Sequence, residues 1–140
     1  MVTCRDTALV RRLSGYASAV EIGVGRRAEV VASLADAGVA VTATDVVAAD
    51  EVEVPATVSF VRDDVVAASE RDHPGATYEA ALLYGLNLPP ELHRPARDVA
   101  DAVDADFLFT TLGGDPPAVP ATPTALPEGG TLYVARGDDR

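Results

Sequence analysis

The stretch from Ala19 to Asp45 changes its hydrophobic period twice, and few folds accept such a change. Val20 to Val24 is a short apolar run interrupted by Gly23 and Gly25. From Arg27 onward Val30, Val31, Leu34 and Ala35 recur on one helical face, and Gly38 supplies the stop. Val39 to Thr44 is then rich in β-branched residues, and Asp45 closes it 22 residues after Gly23. The pattern predicts a strand, a glycine turn, a helix and a second, parallel strand.

Such a turn has specific uses. A glycine at a strand end lets the chain reverse sharply, and a second lets the backbone approach a ligand with no Cβ in the way. The following helix directs free N–H groups and the positive end of its dipole toward the same place. A carboxylate ending the next strand, Asp45, is placed to accept two hydrogen bonds from a ribose diol. The competing reading is a βαβ connection that binds nothing.

The remaining chain extends this unit. Asp6 to Tyr16 reads as an amphipathic helix with Leu9, Leu13 and Tyr16 inward, and Val46 to Pro55 as an acidic loop. Thr57 to Arg62 alternates as a strand and runs into Asp63-Asp64. In a doubly wound sheet a carboxylate there can meet an adenine amino group, and Asp64 is the choice; the alternative is a cap for the helix starting at Val65. After a breaker cluster at Asp72 to Gly75, Tyr78 to Leu86 is a strand of buried type, ending in Asn87-Leu88-Pro89-Pro90-Glu91. The two prolines open a helix carried by Ala96, Val99 and Val103. Ala105 to Leu112 is the next strand.

Five prolines between Pro116 and Pro127 rule out a long helix and imply an extended connection to a last strand, Thr131 to Arg136. With no helix to make a right-handed crossover, that strand should run antiparallel to its neighbour, at an edge. The expected fold is a single Rossmann-like three-layer α/β domain over residues 1–140. It has a mostly parallel sheet of five to six strands in order 3-2-1-4-5, helices on both faces, and a disordered tail from 137 to 140.

Charge narrows the function. The net charge is −11, from fourteen Asp, eight Glu, eleven Arg and no Lys. This resembles proteins of cells that hold molar salt, where a Debye length of about 3 Å screens an acidic surface; an acidic mesophilic protein is the alternative. Such a shell argues against nonspecific nucleic-acid binding. The sequence has no apolar run of membrane-spanning length and no signal-peptide core, which points to the cytoplasm. One cysteine, two isolated histidines, no Gly-x-Ser-x-Gly and no lysine argue against metal, serine-nucleophile, Walker-loop and Schiff-base chemistry. His93, beside Glu91, reads as a surface residue near a helix start rather than a general base.

Val20-Glu21-Ile22-Gly23-Val24-Gly25-Arg26 with Thr42-Ala43-Thr44-Asp45, the run Leu83 to Leu92, and Thr111-Leu112-Gly113-Gly114-Asp115 resemble the small archaeal uncharacterised protein family 0146 over nearly the whole chain. The resemblance implies a Rossmann-like fold similar to S-adenosylmethionine-dependent methyltransferases. Many members have arginine where Asn87 stands. The turn also resembles the methyltransferase pattern at Glu21, Gly23 and Gly25, with Arg27 in place of the third glycine, and the dinucleotide pattern at Gly23, Gly25 and Ala28. An acid at Glu21 suits a methionyl ammonium and repels a pyrophosphate, which favours S-adenosylmethionine over NAD. The candidate cofactor-binding residues are Glu21, Gly23, Gly25, Asp45, Asp64 and Asn87. Asn87-Leu88-Pro89-Pro90 only loosely resembles the Asn/Asp-Pro-Pro-aromatic motif of amino-methylating enzymes. The sequence therefore leaves open a small methyltransferase, an NAD-binding protein, or a non-catalytic sensing or partner-binding module, alone or as a homodimer.

Overall fold

Seven strands build one sheet in a computed structural model that describes residues 4–24, 28–46, 54–127 and 130–137. In chain order they are β1 (Ser18–Ile22), β2 (Ala40–Asp45), β3 (Ser59–Arg62), β4 (Leu82–Gly85), β5 (Asp106–Phe109), β6 (Thr122–Ala125) and β7 (Thr131–Arg136). The helices are α1 (Cys4–Leu13), α2 (Glu29–Asp36), α3 (Val65–Ser69) and α4 (Pro90–Val103). The spatial order is β3-β2-β1-β4-β5-β7-β6. β1 through β5 are parallel, and β7 is antiparallel to both β5 and β6.

Alternation along β1 divides the molecule into layers. Ala19 packs with Leu9, Leu13, Val31 and Leu34 of α1 and α2, whereas Val20 and Ile22 pack with Ala68 of α3 and Ala96 and Val99 of α4. The central β4 is buried throughout, as a strand covered on both faces must be. Among the described residues no helix is long and apolar enough to cross a membrane.

Several expectations need correction. β7 is an interior strand: Leu132 and Val134 enter one core while Tyr133 and Ala135 pack against the other, and this two-sided burial is incompatible with an edge. The edge belongs to β6, inside the proline-rich connection, where the missing N–H of Pro123 costs little. Tyr78 to Leu86 is not one strand, because Ala76–Tyr78 form a 3-10 turn and pairing begins at Leu82. Tyr78 is held there by its hydroxyl, which donates to Asp63 Oδ2 at 2.9 Å, beside the 2.8 Å Arg71–Asp63 ion pair. Helix α1 ends at Leu13, so Tyr16 lies beyond it and donates to Asp106 Oδ2 at 2.7 Å, at the amino ends of the strands. Most of the loop expected at 46–55 and the tail at 138–140 lie outside the described residues.

A groove of about 350 Å³ lies over β1, β2 and β3, lined in part by Ser18, Thr42, Ser59 and Glu79. It includes none of the residues expected to bind a cofactor.

Candidate functional site

The glycine turn forms where β1 gives out. Gly23 takes φ +71°, a left-handed value that costs an L side chain about 1 kcal/mol, and a Cβ added there would meet nothing within 4 Å. The N–H groups of Gly23 and Val24 both donate to the Thr44 carbonyl at 3.0 Å, while Thr44 Oγ1 donates to the Glu21 carbonyl at 2.9 Å. These bonds clamp the turn to the end of β2 and keep the space over Gly23 open. Gly25, the second expected glycine, lies outside the described residues with Arg26 and Arg27. The start of α2 follows at Glu29, without a side-chain cap.

Glu21 stands one residue from the end of β1, in register with Ala43 on β2 and Tyr84 on β4. It is 3% exposed, and its Oε1 and the Tyr84 hydroxyl both lack a hydrogen bond of acceptable geometry among the described residues. Burial raises the Glu21 pKa to about 8; the nearby Tyr84 hydroxyl opposes this, and repulsion from Asp45 and Glu29 adds to it. Tyr84 is raised as well, by burial first and then by Glu21. The two groups influence each other without forming a proper hydrogen bond, which the atom positions decide. A carboxyl so placed is neutral in the absence of a cation.

Asp45 ends β2 beside this pair, and its Oδ1 accepts the Val46 N–H at 2.7 Å. Val46 is 57% exposed, unusual for a valine, and Arg62 Nε donates to its carbonyl at 2.9 Å. Asp64 is an N-cap: its Oδ1 accepts the Val66 N–H at 2.9 Å, so the capping alternative is what its visible bond shows. Asn87 follows β4 with φ 50°, a left-handed value asparagine tolerates, and its N–H donates to Thr110 Oγ1 at 2.8 Å. The structure thus gathers Glu21, Gly23 and Asp45 at the carboxyl ends of β1 and β2. Asp64 follows β3 and Asn87 follows β4 along the same edge of the sheet.

His93 is not a surface residue. It is fully buried against Phe109 with ring centroids 4.3 Å apart. Its Nδ1 accepts the Ala118 N–H at 2.9 Å, so Nε2 carries the proton donated to the Leu88 carbonyl at 2.9 Å. Together with the bonds from Asn87 N–H and Leu88 N–H to Thr110, it fastens the loop after β4 to the segment after β5. The sequence reading also passed over Tyr84, because only the register of β1 against β4 sets its hydroxyl beside Glu21. Its polar tip at the end of an apolar run was the available signal.

An all-parallel dinucleotide sheet runs 3-2-1-4-5-6, whereas here an antiparallel β7 enters between β5 and β6. The fold is similar to that of solved S-adenosylmethionine-dependent methyltransferases. It superposes on the magnesium protoporphyrin IX methyltransferase of Synechocystis, solved with bound S-adenosylmethionine, with TM-score 0.62 at 12% identity, covering 96% of this chain and 79% of that one. It superposes on a glycopeptide N-methyltransferase with TM-score 0.50 at 14% identity, covering 85% of this chain and only 59% of that one. In sequence it is 48% identical over 125 residues to a UPF0146 protein of Halobacterium salinarum, covering 89% of this chain and 91% of the relative. Residues 5–138 match the model of the Uncharacterised protein family (UPF0146), and the chain belongs to that family.

Proposed function

We propose that the crevice over Gly23 binds an adenosyl ligand, S-adenosylmethionine, and that the site is of methyltransferase type. The observation that carries this reading is the buried Glu21 carboxyl two residues before a left-handed, unobstructed glycine. A pyrophosphate would meet that carboxyl as an anion, whereas a methionyl ammonium would meet it as a partner. Asp45 would take the ribose hydroxyls, and exposed Val46 would lie against the adenine. Gly25 would admit the ligand backbone-close, and Asn87 would border the crevice from the β4 side. Asp64, engaged in capping α3, is the weakest member of the set. When bound, S-adenosylmethionine supplies an activated methyl group on a sulfonium; the chain's own residues hold and orient it.

NAD is the competing ligand, on the strength of Gly23, Gly25 and Ala28. The sheet order and the buried acid both weigh against it. Calorimetry of wild type and Asp45→Ala against S-adenosylmethionine, S-adenosylhomocysteine and NAD tests the reading. Loss of a charge-assisted, bidentate contact costs about 1.5–3 kcal/mol, or roughly one to two decades of affinity for the two adenosyl ligands. NAD binding tightest would move the protein to the dinucleotide class. No binding of any of the three at millimolar concentration would leave a module without an adenosine ligand.

A further inference from the structure

Among the described residues three large apolar side chains are exposed: Leu112 at 66%, Val46 at 57% and Val66 at 37%. Each follows the carboxyl end of a strand, Val46 after β2, Val66 after β3 and Leu112 after β5. A single apolar side chain on a surface needs no explanation, but confinement of all three to one edge of the sheet marks that edge. Val46 and Leu112 stand on opposite sides of the crevice, with β1 and β4 between the strands that carry them.

The chain around Leu112 is fixed at two points and loose between them. At Thr110 the N–H donates to the Gly85 carbonyl at 3.0 Å, the carbonyl accepts the Leu88 N–H at 2.9 Å, and Oγ1 accepts the Asn87 N–H at 2.8 Å. At Ala118 the N–H donates to buried His93 at 2.9 Å, and the next residue, Val119, is in the core. Residues 112–116 are all exposed, and the backbone of 111–117 makes one hydrogen bond among the described residues, from Asp115 N–H to the Leu112 carbonyl at 3.3 Å. A Cβ added at Gly113 or Gly114 would meet nothing within 4 Å, so neither glycine packs against the body. Few buried contacts and few backbone bonds make a segment that moves at low cost.

Resting on the adenosyl reading above, we infer that residues 111–117 are a strap that closes over the loaded crevice from the β4–β5 side, with Thr110 and Ala118 as its fixed ends and Leu112 as the group it buries. In that reading ribose and adenine lie at Asp45 and Val46, on the β2 side, so the sulfur-bearing end of the ligand extends toward β4 and the strap. β5 lies two strand spacings from β1, about 10 Å, and on the order of 20 Å of extended chain lets the tip of the strap cover most of that distance. Closure withdraws Leu112 from water against the methyl and methylene groups of the ligand, a gain that needs no charged partner.

Thermolysin, which cuts before leucine, reads the strap in the unaltered chain. Saturating S-adenosylhomocysteine should slow cleavage of the Thr111–Leu112 bond roughly tenfold as the open form is depleted, whereas saturating adenosine, which lacks the sulfur end, should change it by less than about twofold. The chain has no tryptophan, so Leu112→Trp introduces a single reporter. Its emission should shift to the blue, and acrylamide should quench it less, with S-adenosylmethionine or S-adenosylhomocysteine but not with adenosine. Leu112→Ser should bind adenosine as wild type does and the two larger ligands roughly three- to tenfold more weakly. Calorimetric binding of S-adenosylhomocysteine with cleavage and tryptophan emission unchanged would overturn the strap and leave the adenosyl reading standing. Equal protection by adenosine would overturn its placement at the sulfur end. Failure of every adenosyl ligand to bind would remove both.

Discussion

Glu21→Gln isolates the energetic consequence of burying an acid whose Oε1 has no hydrogen-bond partner among the described residues. In the folded chain the Glu21 pKa is about 8, against an ordinary value of 4.5, so the native state holds a proton that the unfolded chain has released. Stability from this group is fully present below pH 4.5 and is lost as pH rises toward 8, because the native state binds more protons across that window. One pKa unit corresponds to about 1.4 kcal/mol, so between pH 5 and pH 8 wild type should lose about 3 kcal/mol relative to the variant. For a chain of this length that is a relative melting shift of roughly 10 °C. Glutamine keeps the shape and cannot titrate, so any cost of its own amide is constant with pH. Urea denaturation of both proteins at pH 5, 6, 7 and 8 gives the difference, in which all shared titrations cancel. Burial also shields the group from salt, so the same slope should appear at about 0.1 M and 2 M KCl. A wild-type-minus-variant difference that is flat in pH would refute the reasoning.

Other perturbations probe the surroundings. Gly23→Ala places a side chain at φ +71°, where it should cost about 1 kcal/mol in denaturant midpoint and leave the fold intact. Because the added methyl points into the space over the turn, S-adenosylmethionine binding should fall more than stability does. His93→Phe keeps the ring contact with Phe109 but strands the Ala118 N–H and the Leu88 carbonyl, and chemical denaturation should show a loss of about 2–4 kcal/mol. If the lysine-free, acid-rich composition is an adaptation to salt, the melting temperature should rise steadily from about 0.1 M to 3 M KCl, and a flat profile would reject that reading.

The parts of the fold that were legible in the sequence are those set by local period. The change from β1 to α2 to β2 is written in Val20, Val30, Val31, Leu34 and Val41, and each of them is buried where the pattern requires. The antiparallel sense of β7 followed from the lack of a helix after Leu112. Its interior position did not follow, because that depends on β6 pairing beside it, and Pro123 argued locally against any strand. His93 was misread for a related reason: its place in the core is created by Phe109 and by the loop carrying Ala118, both distant in sequence. The strand-end acids were visible as residues, and the local cap of Asp64 was legible as an alternative, but only tertiary packing shows that Glu21 is buried with Oε1 lacking a hydrogen-bond partner among the described residues.

The same pairing shapes the far wall of the candidate crevice. No helix lies between β5 and β6, and residues 110–121 run there as an irregular segment in which Leu112 is 66% exposed. An unsupported segment of that kind would move, yet His93 and Thr110 tie it to the turn carrying Asn87. The wall on the β4–β5 side of the crevice is therefore pre-set by one buried imidazole rather than by a covering helix. The exposed residues on that wall are Asn87, Leu112, Gly113, Gly114 and Asp115, so under the methyltransferase reading a second reactant would meet one carboxylate among otherwise uncharged groups there.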